Sequence, residues 1–264
     1  MSRAMTAKIS AIYGPTASGK TALAIELARS TGAVIVNADS MQIYRDLRII
    51  TARPSVEEEA AAEHRLYGVL TGDDPCSVAR WVALVKAEIE RLSPRPIILV
   101  GGTGLYFKAL TDGLTSIPNI PIRFRNKIRA LHKSLGQKKF YQKLIKLDPK
   151  SKRKINPTDT QRSIRAYEVK QFTKKSLHDW FQNTKSYFVK DDFFKIYIDY
   201  PREELIQRIN KRTEQMIEIG AINEVKRFSK LKVRKDKSVN KAIGIHEIKE
   251  YLEKRKDIND VIEK

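Results

Sequence analysis

Eight consecutive residues, Gly14, Pro15, Thr16, Ala17, Ser18, Gly19, Lys20 and Thr21, spell G-x-x-x-x-G-K-[ST]. A loop of this kind turns its backbone N–H groups toward an oligophosphate, the lysine adds a mobile positive charge, and the Thr21 hydroxyl can ligate magnesium. The pattern speaks strongly for phosphate and weakly for reaction type. What surrounds it narrows the chemistry. An ATPase or kinase with such a loop usually ends an apolar strand in a magnesium-binding aspartate. The obvious strand here, Ile97 to Val100, runs instead into Gly101-Gly102-Thr103-Gly104. The acid follows a different apolar run, in Ala38-Asp39-Ser40-Met41-Gln42. At the carboxyl end of a parallel strand Asp39 faces the ligand crevice, where it can serve as a base. It can equally cap the turn that follows.

A phosphate loop needs a strand before it and a helix after it. Lys8 to Tyr13 is short, apolar and β-branched, and reads as the strand. Lys20 to Arg29 reads as the helix, closed by Thr31-Gly32. Ala33 to Asn37 is a second strand. Ser77 to Leu92 puts Val78, Trp81, Val82, Val85, Ile89 and Leu92 on one helical face, and Pro96 to Val100 is a third strand. The alternation predicts an α/β fold, a P-loop core built on a doubly wound parallel sheet. From Ile122 to about Phe188 only helical periodicity and turns are found. Strand character returns at Phe193 to Asp199, followed by a helix from Arg202 to Ile219 between Pro201 and Gly220, then helical segments at Ala221 to Leu231 and Ile243 to Leu252. The expected organisation is a core of residues 1–120 and 190–264 with a helical insert at 121–189. Thr115 to Pro121 is the expected linker.

Charge separates these parts. The 264 residues hold 51 Lys and Arg against 31 Asp and Glu, a net of +20. Residues 1–120 contribute 13 basic and 12 acidic side chains, residues 121–190 contribute 20 and 4, and residues 191–264 contribute 18 and 15. A net of +16 in the middle segment, interleaved with Phe124, Phe140, Tyr141, Tyr167, Phe172 and Trp180, suits a phosphate backbone with stackable bases. The single Cys76 excludes a disulfide framework and a multi-cysteine zinc site. His64, His132, His178 and His246 lack ligand spacing. No apolar run approaches the ~18 residues of a membrane span, and Met1 to Lys8 lacks the layout of a signal peptide. A cytoplasmic monomer with no membrane partner is expected.

Four segments, GPTASGKT, ADSMQIYRDLRIITARPS, ILVGGTGLYFKAL and NPTDTQRSIRAYEV, occur in this order. Together they closely resemble the motifs of the tRNA dimethylallyltransferases, also called isopentenyl-tRNA transferases, and the resemblance runs from roughly Lys8 to Leu252. It implies a P-loop core whose helical insert grips the anticodon stem-loop of tRNA. The implied reaction moves a dimethylallyl group from dimethylallyl diphosphate to the exocyclic amine of the adenine 3′-adjacent to the anticodon. The resemblance gives Gly14 to Thr21 to the diphosphate, with Mg2+ at Thr21, and makes Arg212, rather than Arg208, the pyrophosphate-side arginine. Asp39 would take the amine proton and Thr103 would orient the adenine. By the same carry-over Asp39, Ser40, Met41, Gln42, Thr103, Arg125, Gln161, Arg162, Ser163, Ile164 and Arg165 contact tRNA.

The chain departs from the family pattern in three places. It reads Gly244-Ile245-His246-Glu247 where the family usually has G-Y-R-Q, carries Ile50 where a glycine is usual, and stops before the family's final basic helical motif. Two other classes stay open from the residues alone. One is a catalytically impaired P-loop protein that binds structured RNA. The other is a small-molecule phosphotransferase or adenylate isopentenyltransferase, against which the +16 segment argues because a free nucleotide needs no such surface.

Overall fold

In a computed structural model of the chain, residues 9–182, 184, 186–188 and 190–262 are described. Lys8, where the first strand was expected to begin, and the rest of the Met1 to Lys8 segment lie outside them.

Strand β1 (Ile9–Tyr13) leads through the Gly14–Thr21 loop into helix α1 (Lys20–Thr31). Then come β2 (Val34–Asn37), α2 (Val56–Ala61), β3 (His64–Arg65), α3 (Val78–Leu92), β4 (Ile97–Gly101) and α4 (Gly104–Thr111). After the helical segment the core resumes with β5 (Phe193–Tyr197) and helices α8 (Arg202–Glu218), α9 (Ala221–Lys230), α10 (Ile245–Leu252) and α11 (Ile258–Ile262). The five strands form one parallel sheet in the order β3-β2-β4-β1-β5.

The two-residue alternation of side chains decides which face each residue covers. Ile12, Ile35, Ile98 and Val100 pack with Ala24 and Ala28 of α1, while Val34, Val36, Ile97 and Leu99 pack with Trp81, Val85 and Ile89 of α3. Because both faces are covered, β2 and β4 are apolar throughout, as parallel strands require. Sequence reading misses β3, whose two residues are too few for any period to show. It also misses α2, although Ser55 and Glu58 form a complete capping box there.

Residues Asp112–Tyr187 form a separate compact unit. It contains α5 (Ile122–Leu147), interrupted at Gly136, α6 (Thr160–Thr173) and α7 (Leu177–Phe181). Its own core is Phe140, Leu144, Ala166, Val169 and Leu177, with Ile117 and Ile120 included. Thus several of the aromatic residues among the cations serve packing: Phe140 is fully buried and Tyr167 nearly so.

A polar cluster is buried in this unit. The Asp148 carboxylate accepts hydrogen bonds from Ser151 Oγ at 3.0 Å and Ser176 Oγ at 2.8 Å, and Ser151 Oγ lies 3.3 Å from His178 Nε2. Burial, reinforced by Lys154, holds the His178 imidazole below its ordinary range against the opposing pull of Asp148 and Asp179. The unfolded chain therefore takes up a proton near pH ~6.5 that the folded unit resists. Stability is expected to be full above that pH and to fall as the pH drops toward the folded value. Urea unfolding between pH 7.5 and 5.5 checks this on the whole chain, and His178→Gln should flatten the dependence. An equally steep dependence in that variant would remove His178 as its source.

Candidate active site

The phosphate loop is built as the sequence implies. Gly19 caps α1 in the left-handed region at φ 88°, so the first turn of the helix opens directly onto the loop. Lys20 Nζ folds back to donate to the carbonyl oxygens of Gly14, at 3.1 Å, and Pro15. Burial lowers the Lys20 pKa. Asp39 opposes that shift, and Arg212 adds to it. The loop borders a cleft of about 590 Å³ lined by Thr16, Ala17, Ser18, Gly19, Lys20 and Thr21 on one side. Lys20, Arg53, Arg208, Lys211 and Arg212 bring five cations to this cleft against the carboxylates of Asp39 and Glu58. A surplus of positive charge beside a helix N-terminus favours an anion.

Asp39 sits at the end of β2 and is held on two sides. Fully buried Asn37 accepts from the Asp39 N–H through Oδ1 at 2.8 Å, and its Nδ2 donates to the carbonyls of Asp39 at 3.0 Å and Leu66 at 3.1 Å. Asp39 Oδ1 accepts from the N–H groups of Met41 at 2.8 Å and Gln42 at 3.4 Å. The carboxylate thus caps the turn with one oxygen, and Oδ2 lies on the side of Gly102. The structural and chemical readings of Asp39 are compatible because they use different oxygens. Gly101 explains why β4 does not end in a carboxylate: a Cβ there would fall 2.2 Å from the Ala38 carbonyl and 2.8 Å from the Asp39 nitrogen. The glycine lets the two strand ends touch, which brings Thr103 Oγ1 within 3.3 Å of the Ser40 N–H that donates to it.

Of the other expected contacts in this segment, Met41 is partly buried and packed against the core. Gln42 lines the cleft, and its Nε2 donates to the carbonyls of Thr51 at 3.0 Å and Ala52 at 2.8 Å. Arg212 lines the cleft and donates to the same Ala52 carbonyl at 3.3 Å. Burial lowers its pKa, with Glu58 acting in the opposite sense. Arg208 lines the cleft too, donating to the Tyr200 hydroxyl at 2.7 Å with its guanidinium over the Tyr200 ring. Thr51, Ala52 and Arg53 fall inside the second family motif, yet sequence reading gives them no role, because nothing in their residue types announces a ligand site. Ile50, one departure from the family pattern, lies against Gly244, the unchanged glycine that opens the segment carrying another: a Cβ at Gly244 would come 2.9 Å from Ile50 Cδ1.

In the helical unit, α6 carries Gln161 to Arg165. Asp159 caps the helix by accepting from the Arg162 N–H at 2.9 Å, and the exposed Arg162 side chain turns back to Asp159 at 3.0 Å. Arg165 is half-buried beside Glu168, at 3.8 Å. Glu168 is itself buried, and burial raises its pKa against the pull of Arg125, Arg165 and Arg129. Glu168 thus pairs with Arg165 and also feels the charge of Arg125, a link that spacing could not reveal. Ser163, expected among the RNA contacts, faces inward. Its side chain is fully buried and its Oγ accepts from Gln137 Nε2 at 3.2 Å, so it serves the packing of α6 on α5. Ile164 packs against the core of this unit. The polar side chains that α6 presents outward in this stretch are Gln161, Arg162 and, in part, Arg165.

Sheet topology, loop and cleft define a P-loop α/β protein whose crevice at the strand ends brings the loop, five cations and the carboxylate of Asp39 together. A family model described as IPP transferase matches residues 42–264, and a second, described as isopentenyl transferase, matches residues 7–74. The chain belongs to the IPP transferase family, the tRNA dimethylallyltransferases. It is 52% identical over 247 residues to the tRNA dimethylallyltransferase of Pelagibacter ubique, covering 93% of this chain and 79% of that protein. With the enzyme of the same name from Rhodospirillum rubrum it shares 40% identity over 98% of this chain and 80% of the relative. Among solved structures, the tRNA isopentenylpyrophosphate transferase of Bacillus halodurans is 31% identical, with a TM-score of 0.65 over 97% of this chain and 80% of that one. A eukaryotic dimethylallyltransferase acting on tRNA is 27% identical, with a TM-score of 0.81 over 97% of this chain and 65% of its own. The alternative classes left open by the residues are not favoured. No helix among the described residues is long and apolar enough to cross a membrane.

Proposed function

We propose that the chain moves a dimethylallyl group from dimethylallyl diphosphate to the exocyclic amine of the adenine 3′-adjacent to the anticodon of a tRNA. The observation that carries this reading is the carboxylate of Asp39 in a cleft that joins a phosphate loop to five cations, with the Thr103 hydroxyl held by the N–H of the adjacent Ser40. When the amine nitrogen attacks the allylic carbon, the carbon–oxygen bond breaks and its electron pair leaves with pyrophosphate. The loop amides, Lys20 and Arg212 act on that growing charge, where fixed donors lower the barrier most. Asp39 takes the amine proton, and the Thr103 hydroxyl orients the adenine.

The donor set fits a magnesium ion carried by the substrate. The Thr21 hydroxyl lines the cleft, and the described residues contain no group of three His, Cys, Asp or Glu that would hold a metal without it. Magnesium commonly takes its remaining ligands from phosphate oxygens and water. When bound, the ion would add positive charge to the leaving group.

The adenine has to leave its stack to be prenylated, at a cost of a few kcal/mol. Phosphate contacts made by the basic segment, with Arg125, Gln161, Arg162 and Arg165 foremost, offset it. Cytoplasmic tRNA is the proposed substrate pool. Incubating the chain with dimethylallyl diphosphate, magnesium and unmodified tRNA, then digesting to nucleosides, should yield prenylated adenosine. Free AMP serving as the better acceptor would overturn the reading.

The role given to α6 has its own test. Replacing Arg162 and Arg165 together with Ala is expected to flatten the slope of log tRNA affinity against log salt by roughly 1 to 2 units. Donor binding should stay unchanged. Equal slopes for both proteins would mean that neither arginine meets a phosphate.

A further inference from the structure

We infer that Glu224, on α9, is a positioning residue that sets Gln42 and Arg212 in the cleft by anchoring the backbone on which both rest. The inference rests on the reading of those two residues proposed above.

Glu224 is buried, at 7% exposure, and lies outside every segment whose residue types suggest chemistry. Its Oε1 accepts from the N–H groups of Arg48 at 2.7 Å and Ile49 at 2.9 Å, and its Oε2 from that of Ile50 at 3.0 Å. Three consecutive amides thus converge on one carboxylate, and hydrogen bonds to a charged acceptor are the stronger kind. The next two carbonyls in the chain, those of Thr51 and Ala52, receive Gln42 Nε2, and the Ala52 carbonyl also receives Arg212. Ala52 stands at φ 52°, in the left-handed region that a non-glycine residue adopts at a cost of order 1–3 kcal/mol. A backbone held there needs anchoring from outside, and Glu224 supplies it immediately upstream.

Covalent order reinforces the arrangement. Arg212 is on α8, and only Ile219 and Gly220 separate the end of α8 from the start of α9. The carboxylate therefore ties the helix pair that carries Arg212 to the wall that Arg212 touches. A glutamine could fill the same space. Its amide nitrogen would face a backbone donor, and one N–H would lose its acceptor.

A group that only stabilises the fold costs every variant alike, whereas one acting through Arg212 loses its effect once Arg212 is gone. Calorimetric binding of inorganic pyrophosphate with magnesium provides the readout, in the whole chain, for wild type, Glu224→Gln, Arg212→Ala and the double variant. Glu224→Gln is expected to weaken pyrophosphate by about 5- to 10-fold in the wild-type background and by less than about 2-fold beside Arg212→Ala. Equal losses in both backgrounds would overturn the inference. Glu224→Asp keeps the charge while drawing the oxygens back, and carries the same cycle should the glutamine variant not fold. In transfer assays the cost of Glu224→Gln in kcat should likewise shrink to within about 2-fold when Gln42→Ala and Arg212→Ala are both present. A wild-type chain that binds pyrophosphate but makes no prenylated adenosine would defeat the proposed function, and the pyrophosphate cycle would still decide Glu224.

Discussion

Asp39→Asn is expected to slow transfer by at least ~100-fold, within the range of a positioned general base, while tRNA affinity changes little. The substitution is informative because of how the side chain is held. An asparagine carbonyl can still accept from the Met41 and Gln42 N–H groups that Asp39 Oδ1 receives, and Asn37 grips the backbone of residue 39 rather than its side chain. The turn survives and only the proton acceptor is lost. Single-turnover formation of prenylated adenosine, with tRNA affinity measured alongside, separates the outcomes. A loss of only a few-fold would leave Asp39 as a turn cap and move the base elsewhere.

Lys20→Ala is expected to cost about 100-fold or more in kcat, the scale seen when one donor to a developing anion is removed, with a smaller rise in the KM for dimethylallyl diphosphate. The split follows from where the charge appears. A diphosphate gains negative charge as the carbon–oxygen bond breaks, so a cation aimed at it acts more on the transition state than on the bound donor. Lys20 now rests on the Gly14 and Pro15 carbonyls in a site whose burial already disfavours its charge. An arriving anion gives that charge a better partner than two carbonyls do. Measuring kcat and KM for each substrate decides the matter: a variant impaired only in tRNA binding would mean that the loop does not hold the leaving group.

Part of this site was legible in the chain because its physics is local. A phosphate loop is contiguous, its strand and helix are long enough to show their periods, and Gly19, Lys20 and Thr21 act through positions fixed by the start of one helix. Pro201 and Gly220 bracket α8 for similarly local reasons. The strand β3 was not legible because two residues carry no period, and the burial of Ser163 was not legible because one turn of helix decides whether a side chain meets solvent or α5.

The amino-acid sequence by itself determined the loop, the order of strands and helices around it, the concentration of positive charge between residues 121 and 190, and the family motifs. Only tertiary structure decided how distant residues share one backbone. Arg212 reaches the Ala52 carbonyl from 160 positions away, and Glu224 takes the Ile50 amide from 174. Neither side chain differs in type from the many surface arginines and glutamates of the same helices. What distinguishes them is burial against a particular set of donors and acceptors, a property of the folded packing that no local spacing contains.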